Sequence, residues 1–110
     1  MNDHQREQAT RFNVNVIPIN KSPRDVELKF FEPVYISIDL DGLDPAYAPG
    51  VSHPEPGGLS TREIINFISN IEGDIIGADI VEYNPYKDIN EITAITAAKL
   101  LKELMGKIIE

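Results

Sequence analysis

Two short apolar runs with a capped helix between them constrain this chain more than any other feature. Residues 34–40, VYISIDL, form the clearest strand, and residues 75–82, IIGADIVE, read as a second, buried one. Between them Ser60-Thr61-Arg62-Glu63 is a capping box. The Ser side chain can take the backbone N–H three residues on, and the Glu side chain can reach back, with Leu59 and Ile64 spaced as the flanking hydrophobic pair. The helix continues through Ile64, Ile65, Ile68 and Ile71 and stops near Gly73. Strands that alternate with helices and are themselves apolar pair in parallel. The expected fold class is therefore α/β, a partial parallel sheet with flanking helices, in a single domain over residues 1–110.

The remaining segments are read onto that frame. Residues 3–11 suit the end of a helix. Residues 13–19, NVNVIPI, are expected to be a strand that Pro18 ends or keeps at an edge. Ser22-Pro23-Arg24-Asp25 predicts a short helix capped by Ser22 and finished before Pro33. Residues 41–59 are a long loop rich in Pro and Gly, a length that in a compact domain marks either a functional or a disordered segment. Gly77 and Ala78 leave room for close approach in the second strand. Asn90 is expected to cap a last helix with Ala94, Ala97, Ala98, Leu101, Leu104, Met105 and Ile108 as its apolar face.

Composition narrows the function. A net charge of −8 over 110 residues argues against nucleic acid or an anionic membrane as partner, because both need a basic face. An acidic surface suits a cation, although it also serves simply for solvation. No apolar run approaches the roughly 20 residues of a membrane span. There is no cysteine, so neither disulfides nor thiolate metal sites can form. The polar first residues carry no signal-peptide core. A cytoplasmic location is the expectation.

Chemistry concentrates at the end of the first strand. Alternation puts Tyr35, Ser37, Asp39 and Asp41 on one side and Val34, Ile36, Ile38 and Leu40 on the other. Two carboxylates then share one face at the C-terminal end of a strand, where parallel sheets bind ligands. Like charges placed so repel unless a cation lies between them, and carboxylate oxygens suit Mg²⁺, Ca²⁺ or Mn²⁺. From residue types alone a second reading stays open: Asp-Gly is good turn chemistry, and the pair could simply end the strand. An EF-hand loop does not fit, because the twelfth position counted from Asp39 is Gly50, not Glu. A haloacid-dehalogenase-type motif is also poor, since Leu43 stands where that family has Thr.

The flanking residues carry a resemblance. Ser37-Ile38-Asp39-Leu40-Asp41-Gly42-Leu43-Asp44-Pro45, then Ala48-Pro49-Gly50, then Pro56-Gly57-Gly58-Leu59-Ser60, is similar to the signature of the ureohydrolase family, which includes arginase, agmatinase and formimidoylglutamase. Gly77-Ala78-Asp79-Ile80-Val81-Glu82-Tyr83-Asn84-Pro85 resembles a second block of that family, in the right order. The likeness covers nearly all of residues 12–108 and belongs to the family's C-terminal portion. In look it is nearest to archaeal or bacterial agmatinase-type members.

That resemblance implies an arginase-like three-layer α/β fold and hydrolysis of a guanidinium or amidine C–N bond to urea and an amine on a pair of Mn²⁺ ions. It implies Asp39 as the ligand shared by both metals, Asp41 as ligand of one, and Glu82 as partner of the substrate guanidinium. His53 stands in the loop Val51-Ser52-His53-Pro54-Glu55, where many agmatinases read Thr-Gly-Thr-Pro-Glu; it either faces the substrate or decorates the loop. Glu82 likewise admits the plainer reading of a surface glutamate beside a turn. The partners implied are a guanidinium-type small molecule and further copies of the chain in a homo-oligomer. The family's His-rich and Asp-x-His-x-Asp blocks have no counterpart here, and His4 lies in a polar stretch that matches neither. No residue is assigned as catalytic, the Mn²⁺ site is incomplete, and the isolated chain is expected to be inactive. The alternative is a non-catalytic, truncated member acting as a structural or oligomerisation module.

Overall fold

The computed structural model describes residues 2–21 and 25–109. Its elements in chain order are α1 (Asp3–Arg11), β1 (Leu28–Lys29), β2 (Val34–Asp39), α2 (Thr61–Asn70), β3 (Ile71–Glu72), β4 (Ile75–Val81) and α3 (Ile92–Ile108). β2 and β4 pair in parallel, with Ser37 opposite Asp79 and Asp39 opposite Val81. β1 and β3 form a second parallel pair, Leu28 opposite Ile71. The α/β class with parallel strands and flanking helices is as expected.

Sequence explains the main pieces directly. Ser60 Oγ accepts from the Glu63 N–H at 3.0 Å, and Glu63 Oε1 accepts from the Ser60 N–H at 3.0 Å, closing the capping box of α2. Ile65 and Ile68 then face inward, one turn apart. On β2, Ile36 and Ile38 face the helices, and Ala78 and Ile80 of β4 join them. Leu40, Leu43, Ala48, Val51, Leu100 and Leu104 complete the core. The register slips between Val34 and Tyr35, so Ile76 has no opposite residue on β2. Beyond that slip Gly77 faces Tyr35, and a Cβ at Gly77 would lie 3.0 Å from the Tyr35 ring, so glycine makes room for the aromatic. The space expected at Gly77 is used in this way.

Several expectations are corrected. Residues 13–19 form no strand: Val14, Val16, Ile17 and Ile19 are exposed, and no described strand pairs with them. Alternating apolar residues make a strand only where a ladder partner exists. The Ser22 helix start lies outside the described residues, while Leu28–Lys29, expected within that helix, is β1, because the Phe30 N–H and the Ile71–Glu72 edge offer it a ladder. α2 ends at Asn70, and Ile71 has already turned to extended backbone to enter β3. α3 is capped neither by Asn90 nor by the Glu91 side chain: both residues sit in left-handed backbone, with φ of 49° and 61°. Its buried line is Thr93, Leu100 and Leu104, whereas Leu101 and Met105 of the expected face are 48% and 59% exposed.

Candidate active site

β2 stops at Asp39, and Leu40–Gly42 winds into a 3₁₀ turn rather than continuing the strand. Asp39 caps that turn, its Oδ1 accepting from the Asp41 N–H at 2.8 Å. The two carboxylates therefore stand at the same strand end because a turn brings them there, not because strand alternation does. Asp39 is exposed and Asp41 is half-buried. Asp41 Oδ1 is a buried oxygen with no hydrogen-bond partner. A carboxylate oxygen in that condition carries the full cost of lost hydration unless something positive meets it, so it fits a cation. Among the described residues no group of three or more His, Cys, Asp or Glu side chains could hold a metal ion.

The parallel register fixes where Glu82 lies. Asp39 is opposite Val81, so Glu82, the next residue, leaves the sheet at the same C-terminal edge. Its backbone is left-handed, with φ of 72°. A β-carbon disfavours this conformation by about 1–2 kcal/mol, and strain of this kind gathers at functional sites. His53 lies exposed in the bend just after Ser52. Ser52 Oγ accepts from Asn84 Nδ2 at 3.0 Å. The loop of His53 and the turn after Glu82 are thus joined two residues beyond Glu82.

The long loop is ordered. The Asp44 N–H donates to the Leu59 carbonyl at 2.9 Å and the Leu59 N–H to the Gly42 carbonyl at 3.0 Å, closing its neck. Asp44 staples the interior, accepting from the Ala46 N–H at Oδ1 and the Gly57 N–H at Oδ2, both at 2.9 Å. The Ala46 bond first, then those from Gly57 and Gly58, hold the Asp44 carboxyl below its ordinary value. Gly58 is required here: a Cβ would stand 2.6 Å from the Asp44 nitrogen. Ala48 and Val51 dip into the core and tie the loop down.

On the uncovered side of the sheet the Tyr35 hydroxyl donates to Asp79 Oδ2 at 3.0 Å, and the Ser37 hydroxyl donates to Asp79 Oδ1. The Asp79 hydrogen bond, then desolvation, raises the Tyr35 pKa. Asp44, Asp79 and Asp88 were not singled out by sequence. For Asp44 the Asp-Pro-Ala turn pattern was the available signal.

An acidic strand end on a parallel sheet, with an orphaned carboxylate oxygen and a glutamate in left-handed backbone at the same edge, is a site suited to a cation. The sequence matches the Arginase family over residues 4–106, and the chain belongs to that family. It is 48% identical over 116 residues to the mitochondrial arginase 1 of Arabidopsis thaliana, covering 98% of this chain and 34% of that protein. Its fold superposes on the arginase from Medicago truncatula with a TM-score of 0.89 at 46% identity, covering 98% of this chain and 37% of that one. The mitochondrial agmatinase of Gallus gallus is 47% identical but meets only 66% of this chain. The expected leaning towards archaeal or bacterial agmatinase-type members is therefore corrected: the relatives matched over nearly the whole chain include plant arginases and an arginase-like protein of T. brucei. The chain spans about a third of the length of the curated relatives it matches.

Proposed function

We propose that this chain is the C-terminal portion of an arginase-type ureohydrolase, contributing Asp39 and Asp41 as metal ligands and Glu82 as the anchor for a guanidinium group. The observation that carries the reading is the buried, unpartnered Asp41 Oδ1 beside Asp39 at the C-terminal edge of a parallel sheet. A pair of divalent cations, Mn²⁺ in this reading, supplies Lewis acidity and an acidified water when bound. This chain's own residues do the rest of the positioning. The Asp41 N–H holds Asp39 Oδ1, and Asp39 and Asp41 would hold the cation through their carboxylates. The negative Glu82 side chain pairs with the planar guanidinium, for which two carboxylate oxygens are a matched acceptor. His53 borders the substrate entrance from the neighbouring loop.

Two carboxylates cannot fix a metal pair, so the 110 residues alone are inactive in this reading. The test is to assay urea release from arginine with Mn²⁺, first with the purified chain and then with the chain co-expressed with the upstream part of a related arginase. The expected result is no release above buffer from the chain alone and release from the assembly. That release vanishes in Asp39→Ala and falls strongly in Glu82→Ala. Urea release by the purified chain that disappears in Asp39→Ala would overturn the reading.

A further inference from the structure

A group of hydrogen bonds around Asp88 involves none of the residues assigned above, yet it joins the two loops that carry them. Asp88 accepts four hydrogen bonds. The Ile89 and Thr93 N–H groups reach Oδ1 at 2.8 and 2.9 Å, and the Ala94 N–H and the Tyr83 hydroxyl reach Oδ2 at 3.0 and 2.9 Å. The Thr93 hydroxyl oxygen accepts from the Gly50 N–H at 2.7 Å. Thr93 is wholly buried. Gly50 is hemmed in as well: a Cβ there would lie 3.0 Å from both Thr93 and Asp88. The Gly50 carbonyl accepts from the Asn84 N–H at 2.7 Å.

A single relay therefore runs from Asp88 through Thr93 and Gly50 to Asn84. One end is the turn two residues after Glu82; the middle is the loop three residues before His53. Thr93 meets Asp88 through its backbone N–H and Gly50 through its hydroxyl oxygen, so one wholly buried residue ties the two sides at fixed distances. We propose that Asp88 and Thr93 are positioning residues that lock the His53 loop and the Glu82 strand end into one mutual geometry. The substrate-facing roles of His53 and Glu82 rest on the reading above, but the lock is a property of the fold and can be measured without substrate.

Backbone amide hydrogen exchange on the 110-residue chain tests the lock. Thr93→Val keeps the shape and deletes the hydroxyl; Thr93→Ser keeps the hydroxyl. In Thr93→Val the Gly50 and Asn84 amides exchange faster together, by about tenfold, the scale of one lost hydrogen bond. The Ile38 amide in the sheet keeps its rate, and Thr93→Ser restores both loop amides. Gly50 quickening alone, or all three amides quickening equally, would sink the proposal, because either pattern means a local contact or plain destabilisation. Should Thr93→Val not fold, Ser52→Ala removes the Asn84–Ser52 bond that joins the same two segments beside the relay: it should speed both loop amides together, and no change in either refutes the lock. In the complemented assembly, Thr93→Val should raise KM for arginine about tenfold with kcat within about twofold, since misplaced binding loops weaken substrate capture first. A fall in kcat at constant KM contradicts positioning. If even the unsubstituted assembly releases no urea, the functional reading fails and the exchange data alone decide on the lock.

Discussion

Single residues in this chain carry opposing duties, and Glu82 shows it best. Its backbone is left-handed at a place where glycine would be at ease. Glu82→Gly should therefore stabilise the chain by up to about 1 kcal/mol in chemical denaturation, while urea release by the complemented assembly is lost. A destabilised Glu82→Gly chain would show that the conformation is not strained. Asp44 and Asp88 carry the acid response. Desolvation pushes the Asp88 carboxyl up, but the bonds from the Thr93 and Ala94 N–H groups and Tyr83 outweigh it and hold it well below the usual range. Asp44 is lowered by the Ala46 and Gly57 N–H groups. A folded value below the unfolded one means stability that is complete above the ordinary aspartate value of 3.8 and drains away as pH falls beneath it. Urea midpoints should thus decline below pH 4 in the parent chain, and decline less steeply in Asp44→Asn, which has no such proton to gain.

At the scale of elements, what was legible in the sequence depended on whether an element carries its own signal. β2, β4, α2 and α3 do: each has a period or a capping box that needs no distant partner to be read. β1 and β3 are two residues long and exist only because they pair with each other, so nothing local announces them. The apolar alternation of residues 13–19 announced a strand for which no described partner exists. Asp39 and Asp41 were picked out as candidates because their motif is local, whereas the Asp88–Thr93–Gly50 relay was missed because its parts meet only in the fold. The start of α3 was misread for a related reason: its N–H groups are served by Asp88, placed over the helix end by two left-handed residues, rather than by the residue just before it. The orientation of α3 was misjudged because its apolar arc is wider than its partners cover. That gives a contrast to measure. Leu104→Ala, at a wholly buried site, should cost about 2–5 kcal/mol in denaturation. Leu101→Ala, 48% exposed, should cost under about 0.5 kcal/mol by the same measurement in the isolated chain. Equal losses would mean that Leu101 is covered in solution.

Across the whole molecule the layers are incomplete. The body measures 40 × 39 × 22 Å, with a radius of gyration of 14.6 Å against roughly 13 Å expected for a compact chain of this length. Helices cover one face of the β2–β4 pair; the face with Tyr35, Ser37 and Asp39 lies open. A two-stranded sheet leaves ladder groups unpaired on both edges, and Leu101, Met105 and Ile108 add an uncovered apolar stripe. Sedimentation velocity of the isolated chain should show concentration-dependent association, suppressed when the upstream part of a related arginase is co-expressed. A strictly monomeric chain at tens of micromolar would contradict this account of the open faces.

The β2–β4 ladder has a further consequence, in time rather than space. Its paired residues, such as Ser37 and Asp79, lie 42 positions apart in the chain, whereas the α2 capping box closes over three. Tying off so large a loop demands entropy before any ladder bond repays it, while the helix can flicker into existence on its own. The acidic strand end and the glutamate beside it thus come into register only at the final closure. Until then the two strand ends that carry them lie apart.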